Sequence, residues 1–313
     1  MIEVKNVTKK YGKTVAIDNI SFTINEGEII GLLGPNGAGK STTMNMLTGF
    51  IEQTEGEIII DGYNMLKKPK KAKREIGYMP EGVPLYTDLT VKEFVTYMAQ
   101  IKNVDRKLRK EKVEKIIEQT GLKDVENKLT RNLSRGYKQR VSMAGALVGE
   151  PKILILDEPT VGLDPKQITE IRNLIKELGK THTIIISSHI LSEISQICSK
   201  VIIINKGKIV AVDTPENLEE KVSNKNCVYV TVEDPENKMK EIKNKIKDIK
   251  RLELIEKNED GTTQYMIESS ENIDLRKTIF SELAKENITI FEMKKADTTL
   301  EDAFMKLIEG GNK

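Results

Sequence analysis

Along the start of the chain apolar residues recur every second or third position: Ile2, Val4 and Val7, then Val15, Ile17, Ile20, Phe22 and Ile24. A period near two sends successive side chains to opposite faces of a strand, so this stretch predicts antiparallel strands. From Glu28 the pattern changes to a short unbroken apolar run, then a glycine-rich turn, then helical spacing beginning near Lys40. An unbroken run predicts a strand covered on both faces, as in a parallel sheet. Asp61-Gly62, directly after Ile58-Ile59-Ile60, is a tight-turn signal.

Residues 91–149 carry helical spacing, with Val113, Ile116 and Ile117 on one face of a heavily charged segment and a further helical stretch over Lys138–Gly149. Ile153–Leu156 and Ile184–Ile186 repeat the buried-strand pattern. A helix containing Ile168, Ile171, Leu174, Ile175 and Leu178 separates them. Strands alternating with helices of this length predict an α/β fold whose parallel strands are joined by right-handed crossovers. After Pro215 the chain turns rich in lysine and glutamate. It then reads as a strand (Val228, Val230, Val232), a helix, two strands, a helix (272–284), a strand (287–293) and a last helix. In that last helix Leu300, Ala303, Phe304, Leu307 and Ile308 form an apolar stripe. The expected organisation is a domain over 1–220 and a small α+β domain over 221–313.

Composition narrows the function classes. The 313 residues are 38% hydrophobic and 31% charged, which is enough apolar material for packed cores. Fifty basic residues against 48 acidic ones leave a net charge of +2, so no strong field selects nucleic acid as a partner. Two cysteines, Cys198 and Cys227, are too few for a disulfide framework or a zinc cage and read as free thiols. The chain enters a strand pattern at Met1-Ile2-Glu3-Val4-Lys5, which predicts no signal peptide. No apolar run approaches the roughly 20 residues needed to span a bilayer.

The segment Gly34-Pro35-Asn36-Gly37-Ala38-Gly39-Lys40-Ser41 fits the G-x-x-x-x-G-K-[ST] spacing, between a predicted strand and a predicted helix. Glycines there let consecutive backbone N–H groups turn inward as an anion nest. The helix that follows aims its positive end at the same point. Lys40 supplies a mobile charge for β- and γ-phosphates, the Ser41 hydroxyl ligates Mg²⁺, and Thr42 adds a donor to the α-phosphate. The buried strand Ile153–Leu156 ends in Asp157-Glu158-Pro159. Beside a phosphate loop, Asp157 is placed to hold the Mg²⁺ shell, and Glu158 to orient and polarise an attacking water.

With these elements in place, the chain resembles the nucleotide-binding subunits of ABC transporters from residue 1 to about 220. Leu133-Ser134-Arg135-Gly136-Tyr137 is similar to the family's signature element, Gly162-Leu163-Asp164 to its D-loop, and His189 to its switch histidine. Tyr11 lies where the family stacks an aromatic ring on adenine, a role that simple packing would equally explain. His182 matches nothing and reads as surface. The resemblance implies a P-loop cassette: a mixed sheet core, an antiparallel β subdomain, and a helical subdomain over about 80–150. It also implies a head-to-tail dimer, homomeric or heteromeric, with two ATP molecules at its interface. Ser134 and the backbone of Gly136 would face the γ-phosphate bound by the other subunit. Asp164 would join the residues that bind ATP at that interface, and His189 would contact the γ-phosphate and position the water.

Two departures stand out. Arg135 and Tyr137 replace a glycine and the glutamine usual in the signature, while the Q-loop glutamine is replaced by Glu81, in Gly77-Tyr78-Met79-Pro80-Glu81. An ionised carboxylate cannot donate a hydrogen bond, but it can ligate Mg²⁺ or a water. The Pro-Glu variant and the C-terminal appendage resemble the export branch with separate permeases, some members of which carry gliding-motility or drug-resistance labels. The expectation is an ATP-hydrolysing motor at the cytoplasmic face of a membrane, working on an integral permease made as a separate chain, with no nucleic-acid partner. The competing expectation is a nucleotide-dependent regulatory or ribosome-associated protein without transport.

Overall fold

In the computed structural model the alternating N-terminal stretch becomes β1 (Ile2–Tyr11) and β2 (Thr14–Ile24), an antiparallel hairpin. The ladder shifts register between Val4 and Val7, so the three-residue gap still leaves both side chains on the buried face. The unbroken run is β3 (Ile29–Leu33), and the glycine-rich turn leads into α1 (Lys40–Leu47). Next come β4 (Glu55–Ile60) and β5 (Tyr63–Asn64), joined by Asp61 and Gly62, which both adopt positive φ (46° and 77°) as a two-residue hairpin turn requires. β4 pairs antiparallel with β1, completing a four-stranded sheet in the order β2-β1-β4-β5.

After α2 (Pro69–Arg74) and β6 (Ile76–Met79) the chain builds a helical region from α3 (Val91–Ile101), α4 (Arg106–Gln119) and α5 (Arg135–Leu147). α3 starts with a reciprocal capping box between Thr90 and Glu93. α4 buries only Val113, Ile116 and Ile117; apart from Leu108 and Gln119 its other residues are charged. α5 begins at Arg135 rather than Lys138, because Ser134 already takes the N-cap backbone conformation; Gly136 therefore lies inside the first helical turn. At the other end of α5, Lys102 donates to the carbonyls of Ala146 (3.0 Å) and Val148 (2.8 Å), and burial pushes its ammonium down to about 8.

β7 (Ile153–Asp157), α6 (Pro165–Gly179), β8 (Thr183–Ser188), β9 (Lys200–Asn205) and β10 (Lys208–Asp213) complete the main sheet. Its order is β10-β9-β3-β8-β7-β6, parallel except where β10 folds back on β9. All five residues of β7 and all six of β8 are buried, the polar Asp157, Thr183, Ser187 and Ser188 included, so both strands are covered on both faces. The described residues are 1–82, 85–190, 194–222, 227–233, 238–258, 260–270 and 273–295.

Contacts divide the chain into two units, one containing Met1–Pro215 and the other beginning at Glu216, within α7 (Pro215–Val222). The second unit is β11 (Cys227–Glu233), α8 (Met239–Lys245), β12 (Ile249–Lys257), β13 (Thr262–Ser269), α9 (Arg276–Lys285) and β14 (Ile290–Lys295). Its sheet is antiparallel in the order β12-β13-β11-β14, the ferredoxin-like βαββαβ arrangement. Val228, Val230, Val232, Ile242, Tyr265, Ile267, Ile279 and Leu283 fill its core. The helix expected at 272–284 starts at Arg276 and the strand expected at 287–293 runs Ile290–Lys295. The apolar stripe at 300–308 lies outside the described residues.

Candidate functional site

β3, β8 and β7 end side by side, with Leu33 in register with Ser188 and Ser187 in register with Asp157. Crevices at the carboxyl ends of parallel strands are where such sheets bind ligands. An open cavity of about 610 Å³ lies here, walled by the loop residues Pro35, Asn36, Gly37, Gly39, Lys40, Ser41 and Thr42 and by Glu81, Glu158 and His189. Six further lining residues carried no motif: Thr14, Val15 and Ala16 from the β1–β2 hairpin, Val161, and Lys206-Gly207 from the β9–β10 turn. Val161 follows Glu158 in a local turn, and long-range pairing brings in the rest; the Gly207 N–H donates to the Ala38 carbonyl at 2.9 Å and the Gly207 carbonyl accepts from the Asp18 N–H.

Two of the loop's glycines are required by what lies beneath them. A Cβ on Gly34 would lie 2.3 Å from the Ile204 carbonyl oxygen and 2.9 Å from the Cβ of Ala38. Gly39 has φ 111°, and a Cβ there would meet Ile17 Cδ1 at 2.5 Å. Gly39 is also the N-cap of α1 and supplies no side-chain cap, while the first turn carries no acidic residue. The first N–H groups of α1 are thus left for an anion.

Lys40 is buried, donates to the carbonyls of Gly34 (2.7 Å) and Pro35 (3.4 Å), and stands 3.9 Å from Glu158 Oε1. Glu158 has φ 48°, a left-handed backbone uncommon for glutamate. His189 Nδ1 lies 3.0 Å and 3.1 Å from its two carboxylate oxygens. Burial pushes the Glu158 carboxyl above its ordinary value, and the bond to His189 and the charge of Lys40 pull it part of the way back. Asp157 is likewise pushed up by burial and drawn down by the hydroxyl of Ser187, which donates to its Oδ1. Asp157 is 5% exposed and, unlike Glu158, does not line the cavity.

The other candidate residues stand elsewhere. Ser134 is exposed at the N-cap of α5 and its side chain makes no capping bond, so an ordinary cap does not account for it. A Cβ on Gly136 would approach the Gln167 side chain to 3.0 Å, and one on Gly162 would sit 2.3 Å from Arg135 Nη1. Tyr137 donates to Asp124 Oδ2 at 2.6 Å, a bond that pushes its phenol up. Asp164 caps α6, accepting from the Gln167 N–H at 2.9 Å. Tyr11 is half exposed with the Lys9 ammonium 4.9 Å from its ring centre, outside the cavity lining. Ser134, Gly136 and Asp164 are also outside that lining.

This donor set fits a polyphosphate with a divalent cation. It offers a loop pressed so close to its neighbours that Gly34 and Gly39 admit no Cβ, a buried ammonium, the hydroxyls of Ser41 and Thr42, and buried carboxylates at a strand end. Among the described residues no group of three or more His, Cys, Asp or Glu forms a metal cage. A cation held by one or two protein oxygens and by phosphate suits Mg²⁺, which keeps waters and shares its substrate's oxygens.

Residues 17–161 match the sequence family described as "ABC transporter", and residues 130–195 match one described as "AAA domain, putative AbiEii toxin, Type IV TA system". The bacitracin transport ATP-binding protein BcrA of Bacillus licheniformis is 36% identical over 99% of this chain and 98% of its own. The uncharacterized ABC transporter ATP-binding protein YhcH of Bacillus subtilis is 34% identical over 98% and 95%. Among solved structures, CbiO1 from Clostridium perfringens, part of the transporter complex CbiONQ, superposes with a TM-score of 0.65 at 32% identity. That match covers 69% of this chain and 89% of CbiO1. The cassette MJ0796, in a dimeric post-hydrolysis state bound to ADP and Pi, gives 0.62 at 29% identity, over 68% and 98%.

Proposed function

Because the chain belongs to the family of ABC transporter ATP-binding subunits, we propose that it binds Mg·ATP in the glycine-walled cavity and hydrolyses it to power a separate permease. The observation that carries this is the place of Glu158 in the cavity wall, between the buried Lys40 ammonium and His189. Glu158 accepts the proton of the attacking water, and burial makes it a stronger base than an exposed glutamate. His189 holds that carboxylate in place and reaches the γ-phosphate. Lys40 leaves its loop carbonyls for the β- and γ-phosphates, and Ser41 and Asp157 hold the cation shell, with Glu81 at the cavity edge as a further oxygen donor. A Mg²⁺ ion held by Ser41 and Asp157 would supply charge neutralisation at the phosphates.

The exposed Ser134 hydroxyl and the N-terminus of α5 serve the nucleotide of a second cassette, identical or related, in a head-to-tail pair. Closure of that pair moves the region from α3 to α5 against the permease. In this reading the permease supplies the membrane-spanning part and the chain works at the cytoplasmic face; no described helix is long and apolar enough to cross a membrane. The full-length likeness to a bacitracin transport protein favours export.

Glu158→Gln tests the reading. Turnover is expected to fall ~10²- to 10⁴-fold while a fluorescent ATP analogue binds as before; equal hydrolysis by the variant refutes it. In the native chain hydrolysis is full above the raised value of Glu158 and is lost as pH falls through it, at a higher pH than an exposed glutamate gives.

A further inference from the structure

Glu158 is held at two points by the end of a single strand. His189, just past β8, engages its carboxylate, and Ser187, the penultimate residue of β8, engages its backbone: the Glu158 N–H donates to Ser187 Oγ at 2.9 Å. The same hydroxyl reaches Asp157 Oδ1, its register partner across the parallel ladder. Ser187 is fully buried.

The direction of these bonds is fixed by chemistry. A backbone N–H can only donate, so Ser187 Oγ must accept from Glu158, and its one proton is then committed to Asp157. A single oxygen thereby satisfies a buried carboxylate oxygen and a buried amide at once. Both belong to the two residues on which the proposed hydrolysis depends. The amide belongs to a residue with φ 48°, a conformation that a non-glycine residue holds only where its surroundings enforce it. The next residue, Ser188, does no such work; its hydroxyl accepts from the Ile190 N–H. The sequence Ser187-Ser188-His189 thus contains one serine aimed at the acidic pair and one that shapes the turn.

We propose that Ser187 is a positioning residue for Mg·ATP hydrolysis. Its hydroxyl fixes the Asp157 carboxylate for the cation shell, and it locks the left-handed backbone of Glu158 so that the base carboxylate meets His189 and faces the cavity. This rests on the ATPase reading above and adds a residue from outside every motif of that site.

The test uses the full chain and two variants, Ser187→Ala and Ser187→Cys. Cysteine fills the same space but is a weak donor and a weak acceptor, so it keeps the fold where alanine leaves a void. Binding of a fluorescent ATP analogue is measured with and without Mg²⁺, and turnover is measured separately. Supporting residues behind a metal shell are worth about 10- to 100-fold in metal affinity or activity. Both variants are therefore expected to bind the analogue normally without Mg²⁺ and to lose about tenfold of the Mg²⁺-dependent gain. Their kcat is expected to fall ~10- to 100-fold with KM for ATP little changed. A residue that served stability alone would lower the melting temperature and leave the Mg²⁺ gain and kcat per folded molecule intact. A native-like Mg²⁺ gain and kcat in Ser187→Cys overturns the inference, even if Ser187→Ala does not fold. Absence of a Mg²⁺-dependent gain in the native chain would instead overturn the ATPase reading beneath it.

Discussion

Lys40, Asp157 and Glu158 each have a partner inside the chain, whereas Ser134 neither caps its own helix nor lines the cavity. Both regions have the same local design, a glycine-containing turn that opens a helix with uncapped N–H groups. They differ in what surrounds them. The phosphate loop is pressed onto β2 and β9 and backed by buried acids, so its geometry exists in a single chain. The signature turn is supported from behind, by Gln167 against Gly136 and Arg135 against Gly162, and is open in front. In the proposed function one half of the machinery is complete in each copy, and the other half is left for a second cassette to complete.

The strongest way to break that contrast is Lys40→Ala. Removing a buried charge that pairs with the phosphates is expected to cost about 2–5 kcal/mol of nucleotide affinity, at least ~30-fold, read by isothermal titration with an ATP analogue. Ser134→Ala comes next in size. A hydrogen bond to a charged group is worth about 1.5–3 kcal/mol, so turnover is expected to drop ~10- to 100-fold while a dilute single chain binds ATP with unchanged affinity. Equal weakening of single-chain binding by both substitutions would erase the distinction between the two turns. Tyr137→Phe sharpens it with the smallest effect. Loss of the bond to Asp124 is expected to cost about 1 kcal/mol, or ~2–4 °C in Tm for a unit of this size, with turnover kept within about twofold. A large loss of turnover at unchanged Tm would instead place Tyr137 at the phosphate.

How much could be read from the spelling of the chain follows the same division between local and distant. The phosphate loop, the Asp61-Gly62 turn and the two buried strands are set by residues within a few positions of one another, and each is found where its pattern puts it. The start of α5 was displaced by three residues, since a Ser-Arg-Gly sequence has no strong helix signal until Ser134 is seen to take the cap conformation. Ser187 and the cavity walls at Thr14–Ala16 and Lys206-Gly207 carry no motif at all; the strand order β9-β3-β8-β7 brings Ser187 and Lys206-Gly207 to the site, and the contact of β2 with Gly207 brings Thr14–Ala16. The left-handed backbone of Glu158 was equally invisible, because nothing in Asp-Glu-Pro requires it. In the second unit the alternation predicted the elements, but the order β12-β13-β11-β14 that makes it ferredoxin-like emerges only from the pairing.

Nucleotide-driven pairing of two chains is the claim on which the account stands, and Glu158→Gln isolates it by letting ATP bind without being consumed. Sedimentation of this variant is expected to give the single-chain mass alone or with ADP, and twice that mass with ATP and Mg²⁺, reverting when Ser134→Ala is added. A single-chain mass under every nucleotide condition, with ATP shown to be bound, would contradict pairing of identical chains.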